Sequence, residues 1–124
     1  MTLERDPPTG GTDRPVSRGP HPFHVSVSES ETGVVLAIAG ELDMATAPAL
    51  REAVADVTEG LEGDLILDLG LMTFTDSSGL TLFVQEQKNL RSRGHEMIIL
   101  DPTARTRRLF QVAGLDEYFT VRRA

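Results

Sequence analysis

Between Thr73 and Leu80 the chain reads TFTDSSGL, and Asp76, Ser77, Ser78 and Gly79 in it have the types that chemistry uses. A serine nucleophile on a sharp strand-to-helix turn needs G-x-S-x-G and a positioned histidine. Here Thr75 and Asp76 precede Ser77, and the only later histidine, His95, follows Gly94 in a turn with no evident carboxylate to orient it. A phosphate-binding P-loop needs a lysine after its glycines, but the only lysine, Lys88, falls inside a predicted helix. Asp43 and Asp76 are a conceivable acid/base pair, yet nothing in the sequence supplies a pocket or a raised pKa, and solvated loop carboxylates are the simpler reading. His21 and His24 have a metal-compatible spacing but no third ligand nearby. No catalytic residue, metal or cofactor is implied. The serine reads as a substrate of chemistry rather than its agent.

The elements that position these residues follow from hydrophobic periodicity. Phe23, Val25 and Val27 alternate with His24, Ser26 and Ser28, the period of a half-buried strand. Glu29 to Gly33 reads as a hairpin turn and Val34 to Ala39, apolar throughout, as a more central strand. Gly40, Glu41, Leu42 and Asp43 read as a loop. Thr46 is the expected N-cap of a helix with Pro48 in its first turn. In that helix Ala47, Leu50, Val54 and Val57 recur at helical spacing, and Gly60 and Gly63 end it. Leu65 to Leu69 is a short buried strand. Leu80, Phe83, Val84 and Leu90 form a helical stripe that stops before Gly94. Glu96 to Asp101 is a fourth strand, Thr103 caps a short helix to Ala113, and Gly114 ends it. Tyr118 to Val121 adds a last short strand. Helical crossovers between apolar strands predict an α/β domain: a small, mostly parallel mixed sheet with an antiparallel edge hairpin, covered by about three to four helices.

Ser77 and Ser78 then sit where a central strand ends and a helix begins. A serine there is first of all an N-cap. The same place suits a phosphate, because the first turn has unpaired N–H groups and a partial positive charge. Gly79 permits either close approach of a partner or close packing of helix on sheet.

The 124 residues suffice for one domain, and the absence of cysteine excludes disulfides and thiolate chemistry. The proline- and glycine-rich segment 1–22 has almost no large apolar residue and reads as a disordered tail. Residues 23–124 form the domain. No apolar run approaches the ~20 residues of a membrane span, and no secretory signal is evident, so a cytoplasmic location without membrane association is expected. The net charge of −7 argues against direct nucleic-acid binding. From Phe23 to Asp76 eleven acidic residues accompany a single basic one, Arg51. That field either steers a basic partner or keeps the domain soluble. Arg105, Arg107 and Arg108 read as a solvated helix face.

Three segments in order carry a resemblance to a known family. AGELDMATA, LILDLGLMTFTDSSGL and RSRGHEMIILDPTARTRRLFQVAGLDEYF resemble the signatures of the STAS domain, and within it the anti-sigma factor antagonists. The likeness runs from Phe23 to about Val121. It implies a protein that is no enzyme but the substrate of one. Its unphosphorylated form binds an anti-sigma factor that is also a serine kinase, releasing a sigma factor. Phosphorylation of the serine directly after the aspartate, Ser77 here, switches binding off, and a phosphatase restores it. The resemblance puts Asp43, Asp76, Ser77, Ser78 and Gly79 at the partner-binding surface. A second member class, the accessory STAS subunit of an ABC-type transporter that binds its ATPase, has the same domain; serine rather than threonine at the acceptor position leans toward the sigma switch. Two departures from the pattern are Thr81, where small residues are frequent, and an end soon after Tyr118, where many members add a helix.

Overall fold

The protein is described here by a computed structural model covering residues 22–124. The tail assigned to 1–22 lies, except for Pro22, outside the described residues, as does His21. Strands β1 (His24–Ser30) and β2 (Gly33–Leu42) make the antiparallel hairpin, and β3 (Asp64–Thr75), β4 (Met97–Leu100) and β5 (Thr120–Arg122) continue the sheet in parallel, in the order β1-β2-β3-β4-β5. Three helices supply the crossovers: α1 (Ala47–Thr58), α2 (Ser77–Ser92) and α3 (Ala104–Val112).

The core lies between one sheet face and the helices. Alternate residues of the central strands, Leu36, Ile38, Leu65, Leu67, Met97 and Ile99, point into it and meet Leu50, Val54, Leu82, Phe83, Leu90 and Phe110 of the helices. The helical stripe read from the sequence is core at Phe83 and Leu90 and half-buried at Leu80 and Val84, with Leu82 fully buried beside them. Phe83, Phe110 and Phe119 lock α2, α3 and the approach to β5, with ring centroids 5.1–6.5 Å apart, the separation at which aromatic edges and faces attract.

Two strands are longer than their sequences foretell. β2 runs on through Gly40 and Glu41 to Leu42, and β3 runs on from Leu69 to Thr75. The reason is a pair of register shifts between β2 and β3, one between Ala37 and Ala39 and one between Gly40 and Glu41. Each gives β3 an extra residue. Its buried positions therefore step from Leu65, Leu67 and Leu69 to Met72 and then Thr75, and the period of two is lost. Gly40, at the second shift, adopts a φ of 89°, a backbone region that glycine enters without steric cost. The bulged residues turn outward: Leu71 is 72% exposed and Phe74 40%.

Candidate functional site

β2 and β3 are neighbours, and their last residues, Leu42 and Thr75, are register partners. Asp43 and Asp76 each follow directly, so two loops distant in sequence meet at one end of the sheet. A backbone hydrogen bond from Asp76 N to the Leu42 carbonyl, 3.2 Å, ties them.

In the first loop Asp43 organises its own turn. Its Oδ1 accepts from the N–H groups of Ala45 at 2.9 Å and Thr46 at 3.0 Å. Thr46 stands at the N-cap of α1 as expected, but its hydroxyl does not cap the helix. It faces backward, accepting from Asp43 N and donating to the Glu41 carbonyl, both at 2.9 Å. These side-chain-to-backbone bonds substitute for the ladder that ends at Leu42.

In the second loop the cap is the aspartate, not a serine. Asp76 has extended backbone, and its Oδ1 accepts from Ser78 N at 2.8 Å and Gly79 N at 3.4 Å. The expectation that a serine caps α2 is thereby corrected: Ser77 and Ser78 are already the first two helical residues. A carboxylate does this better than a hydroxyl, because its charge also meets the positive end of the helix. Ser77, relieved of that duty, is exposed, and Ser78 is half-buried. Gly79 is buried. A β-carbon there would run into Thr75 Oγ1 and lie 2.8 Å from Leu42 Cδ2. Of its two readings, close packing of α2 on the sheet is the one displayed.

Consecutive helices that cross over on the same face of a parallel sheet run side by side in one direction, so α1 and α2 both begin at this end. Between them lies an open groove of about 410 Å³, lined by Met44, Ala47, Pro48 and Arg51 on one wall and Ser77, Ser78, Thr81 and Gln85 on the other. Arg51 Nη1 donates to Gln85 Oε1 across it at 3.0 Å. Farther along, Arg51 and Arg93 flank Glu86. Burial pushes the Glu86 carboxyl above its ordinary pKa, and the two arginines pull it back part of the way. Met44, beside the serines, is 77% exposed. The sequence reading assigned no role to Met44, Arg51 or Gln85. Their signal lies in spacing: 77, 81 and 85 fall on one helix face, as do 47, 48 and 51.

Asp43, Asp76, Ser77, Ser78 and Gly79 are thus gathered at one end of the domain, with Gly79 beneath the surface. His95 and Lys88 are not among the groove's lining residues. Among the described residues no group of three side chains could hold a metal ion, and no helix is long and apolar enough to cross a membrane.

This sheet order, with a serine opening the second helix, defines a class. The STAS domain matches residues 24–124, and the chain belongs to that family. It is 35% identical over 101 residues to the anti-sigma-B factor antagonist of Listeria monocytogenes, covering 79% of this chain and 87% of that protein. The crystal structure of an anti-sigma factor antagonist from Mycobacterium paratuberculosis superposes with a TM-score of 0.74 at 28% identity, covering 81% and 85% of the two chains. The Bacillus cell fate determinant SpoIIAA in its phosphorylated form does so with a TM-score of 0.61 at 27% identity, covering 80% and 89%. The expected fold holds among the described residues: one antiparallel pair, the rest parallel, and three helices.

Proposed function

We propose that the chain is an anti-sigma factor antagonist whose residues 23–124 work as one cytoplasmic switch. In its unphosphorylated form it binds an anti-sigma factor that is also a serine kinase, and a sigma factor is released. The kinase transfers the γ-phosphoryl group of ATP to Ser77 Oγ, whose proton leaves to solvent, and ADP departs. A phosphatase returns the hydroxyl by hydrolysis. Asp43, Asp76, Ser77 and Ser78 meet the partner, and Gly79 supports them from below.

The observation that carries this reading is the state of Ser77: exposed, at the rim of a groove, and free of the capping role that Asp76 fills. Its relatives' names supply the partner class. A phosphate on Ser77 adds roughly −1.5 to −2 charge at neutral pH. A neutral hydroxyl beside the exposed Met44 suits a tight interface, whereas a dianion there must be desolvated. That mismatch costs several kcal/mol, and each ~1.4 kcal/mol is tenfold in affinity.

The test is capture from native cells with wild type, Ser77→Ala and Ser77→Asp as baits, followed by ATP and mapping of the phosphate by mass spectrometry. Wild type and Ser77→Ala should retain a small ATPase of the histidine-kinase type, Ser77→Asp should lose it, and the phosphate should map to Ser77. Labelling on Ser78, or undiminished labelling of Ser77→Ala, would sink the assignment. Capture of transporter ATPase subunits instead would move the protein to the other STAS class.

A further inference from the structure

We propose that Arg51 is the internal receptor of the phosphate on Ser77, so that phosphorylation draws the Arg51 guanidinium across the mouth of the α1/α2 groove. The inference rests on the reading of Ser77 as the phosphoacceptor and adds what the domain itself does with the charge.

Asp76 Oδ1 already takes Ser78 N and Gly79 N, so two of the amide donors at the start of α2 are spent before a phosphate arrives. The nearest fixed charges in sequence and register, Asp76 and Asp43, repel it. A dianion on Ser77 therefore needs a cation from another element. Arg51 lines the same groove as Ser77, and it is the single basic residue between Phe23 and Asp76.

Reach is set by helix geometry. Ser77 and Gln85 are eight residues apart on α2, about 12 Å at the ordinary helical rise. The two helices run side by side, with Ala47 and Pro48, one turn before Arg51, lining the groove alongside the serines. Arg51 is thus rooted between the two ends of that span. Its long side chain now leans toward Gln85, to which it makes a single hydrogen bond at 3.0 Å. Leaning the other way, past Thr81, brings it to the phosphate.

The competition favours the move. At its present position Arg51 has a neutral amide and the field of Glu86, a carboxyl whose charged form burial disfavours. A phosphate offers about twice the charge of a carboxylate and three acceptor oxygens that match the guanidinium fork. The exchange leaves Gln85 to water and places an arginine over the groove floor, so a partner meets a covered groove as well as a new charge.

The experiment installs phosphoserine at position 77 during translation, so no kinase is needed, and follows the ³¹P resonance with pH. The second ionisation of the phosphate should fall at a pH lower by about half a unit or more in wild type than in Arg51→Gln, as an opposite charge a few ångströms away requires. Arg51→Lys should lie between them. The Arg51 Nε–Hε resonance of the wild-type protein, which needs no substitution there, should shift on phosphorylation. Equal titration midpoints, or an unmoved Arg51 signal, would overturn the proposal. The two readings fail separately: if the kinase labels Ser77 but the midpoints coincide, the switch stands without the clamp, and if labelling falls elsewhere while the midpoints differ, the clamp stands without the switch.

Discussion

Gln87 satisfies both peptide groups of Met97. Its Nε2 donates to the Met97 carbonyl at 3.1 Å and its Oε1 accepts the Met97 N–H at 3.0 Å, with the side chain wholly buried. Leu65 N donates to Glu96 O, and Leu65 pairs with Met97, so the polar groups of Met97 itself point away from β3. The parallel pairing of Ile98 with Thr120, where β5 begins, turns Thr120 N toward the Met97 carbonyl but supplies no partner for the Met97 N–H. A helix side chain stands in for the missing strand. Gln87→Leu should leave the buried Met97 N–H unpaired, at about 1–3 kcal/mol. Urea unfolding should show a loss of at least about 1 kcal/mol. A smaller loss would mean that water or a shifted β5 takes over.

The cap of α2 separates Asp76 from the two serines. Asp76→Ala should cost about 0.5–2 kcal/mol through the lost helix cap. Ser78→Ala, whose residue is not the cap, should change stability by less than about 0.5 kcal/mol. Thermal unfolding of the two variants side by side decides the matter, and equal losses would return the cap to the serine.

Gly79→Ala should destabilise by about 1–3 kcal/mol, the usual cost of forcing a group into a packed contact. Thr75→Ala removes the nearest obstructing atom, Thr75 Oγ1, while Leu42 Cδ2 and Cγ stay. In the double variant the cost of Gly79→Ala should therefore shrink without vanishing. Chemical denaturation of the four proteins of this cycle measures the coupling, and strict additivity would refute the steric account.

Glu96 gives the fold an acid-sensitive joint. Hydrogen bonding from Arg91 holds its carboxyl below the ordinary pKa against the opposing effect of burial, and Thr120 and Gln87 add to the lowering. The ion pair measures 3.1 Å, and Arg91 also donates to the Tyr118 carbonyl and stacks on the Tyr118 ring. A carboxyl whose folded pKa is depressed contributes stability above its unfolded pKa and loses it as pH falls through the folded one. Wild type should thus lose more stability than Glu96→Gln on going from pH 6 to pH 3. Parallel losses across that window would show that the pair is too well solvated to matter.

Most of the architecture was legible because strands and helices alternate with clear periods and glycines mark their ends. The gathering of Asp43, Asp76 and the serines could be read as well, since neighbouring parallel strands deliver their following loops to one edge. What escaped was bulged or borrowed. The steps from Leu69 to Met72 to Thr75 obey no period, so the readable strand stops at Leu69 and the exposure of Leu71 and Phe74 is not foretold. Nothing in the sequence singles out Gln87, because its partner, Met97, is a backbone whose strand pairing no local pattern announces. The cap was assigned to a serine by residue preference, and Asp76, one position earlier, had the stronger claim by charge. Arg51 was visible only as an isolated charge until the groove gave it neighbours.

The sheet order reproduces the chain order. Every strand, as it leaves the ribosome, finds the edge it needs already built by the strand before it, and no pairing waits for a segment still to be made. Loop closure is never longer than one helical crossover, which keeps the entropic cost of each addition low. The domain can therefore grow from its hairpin outward during synthesis, with the Ser77 end of the sheet assembled once α2 has docked and before β5 closes the far edge.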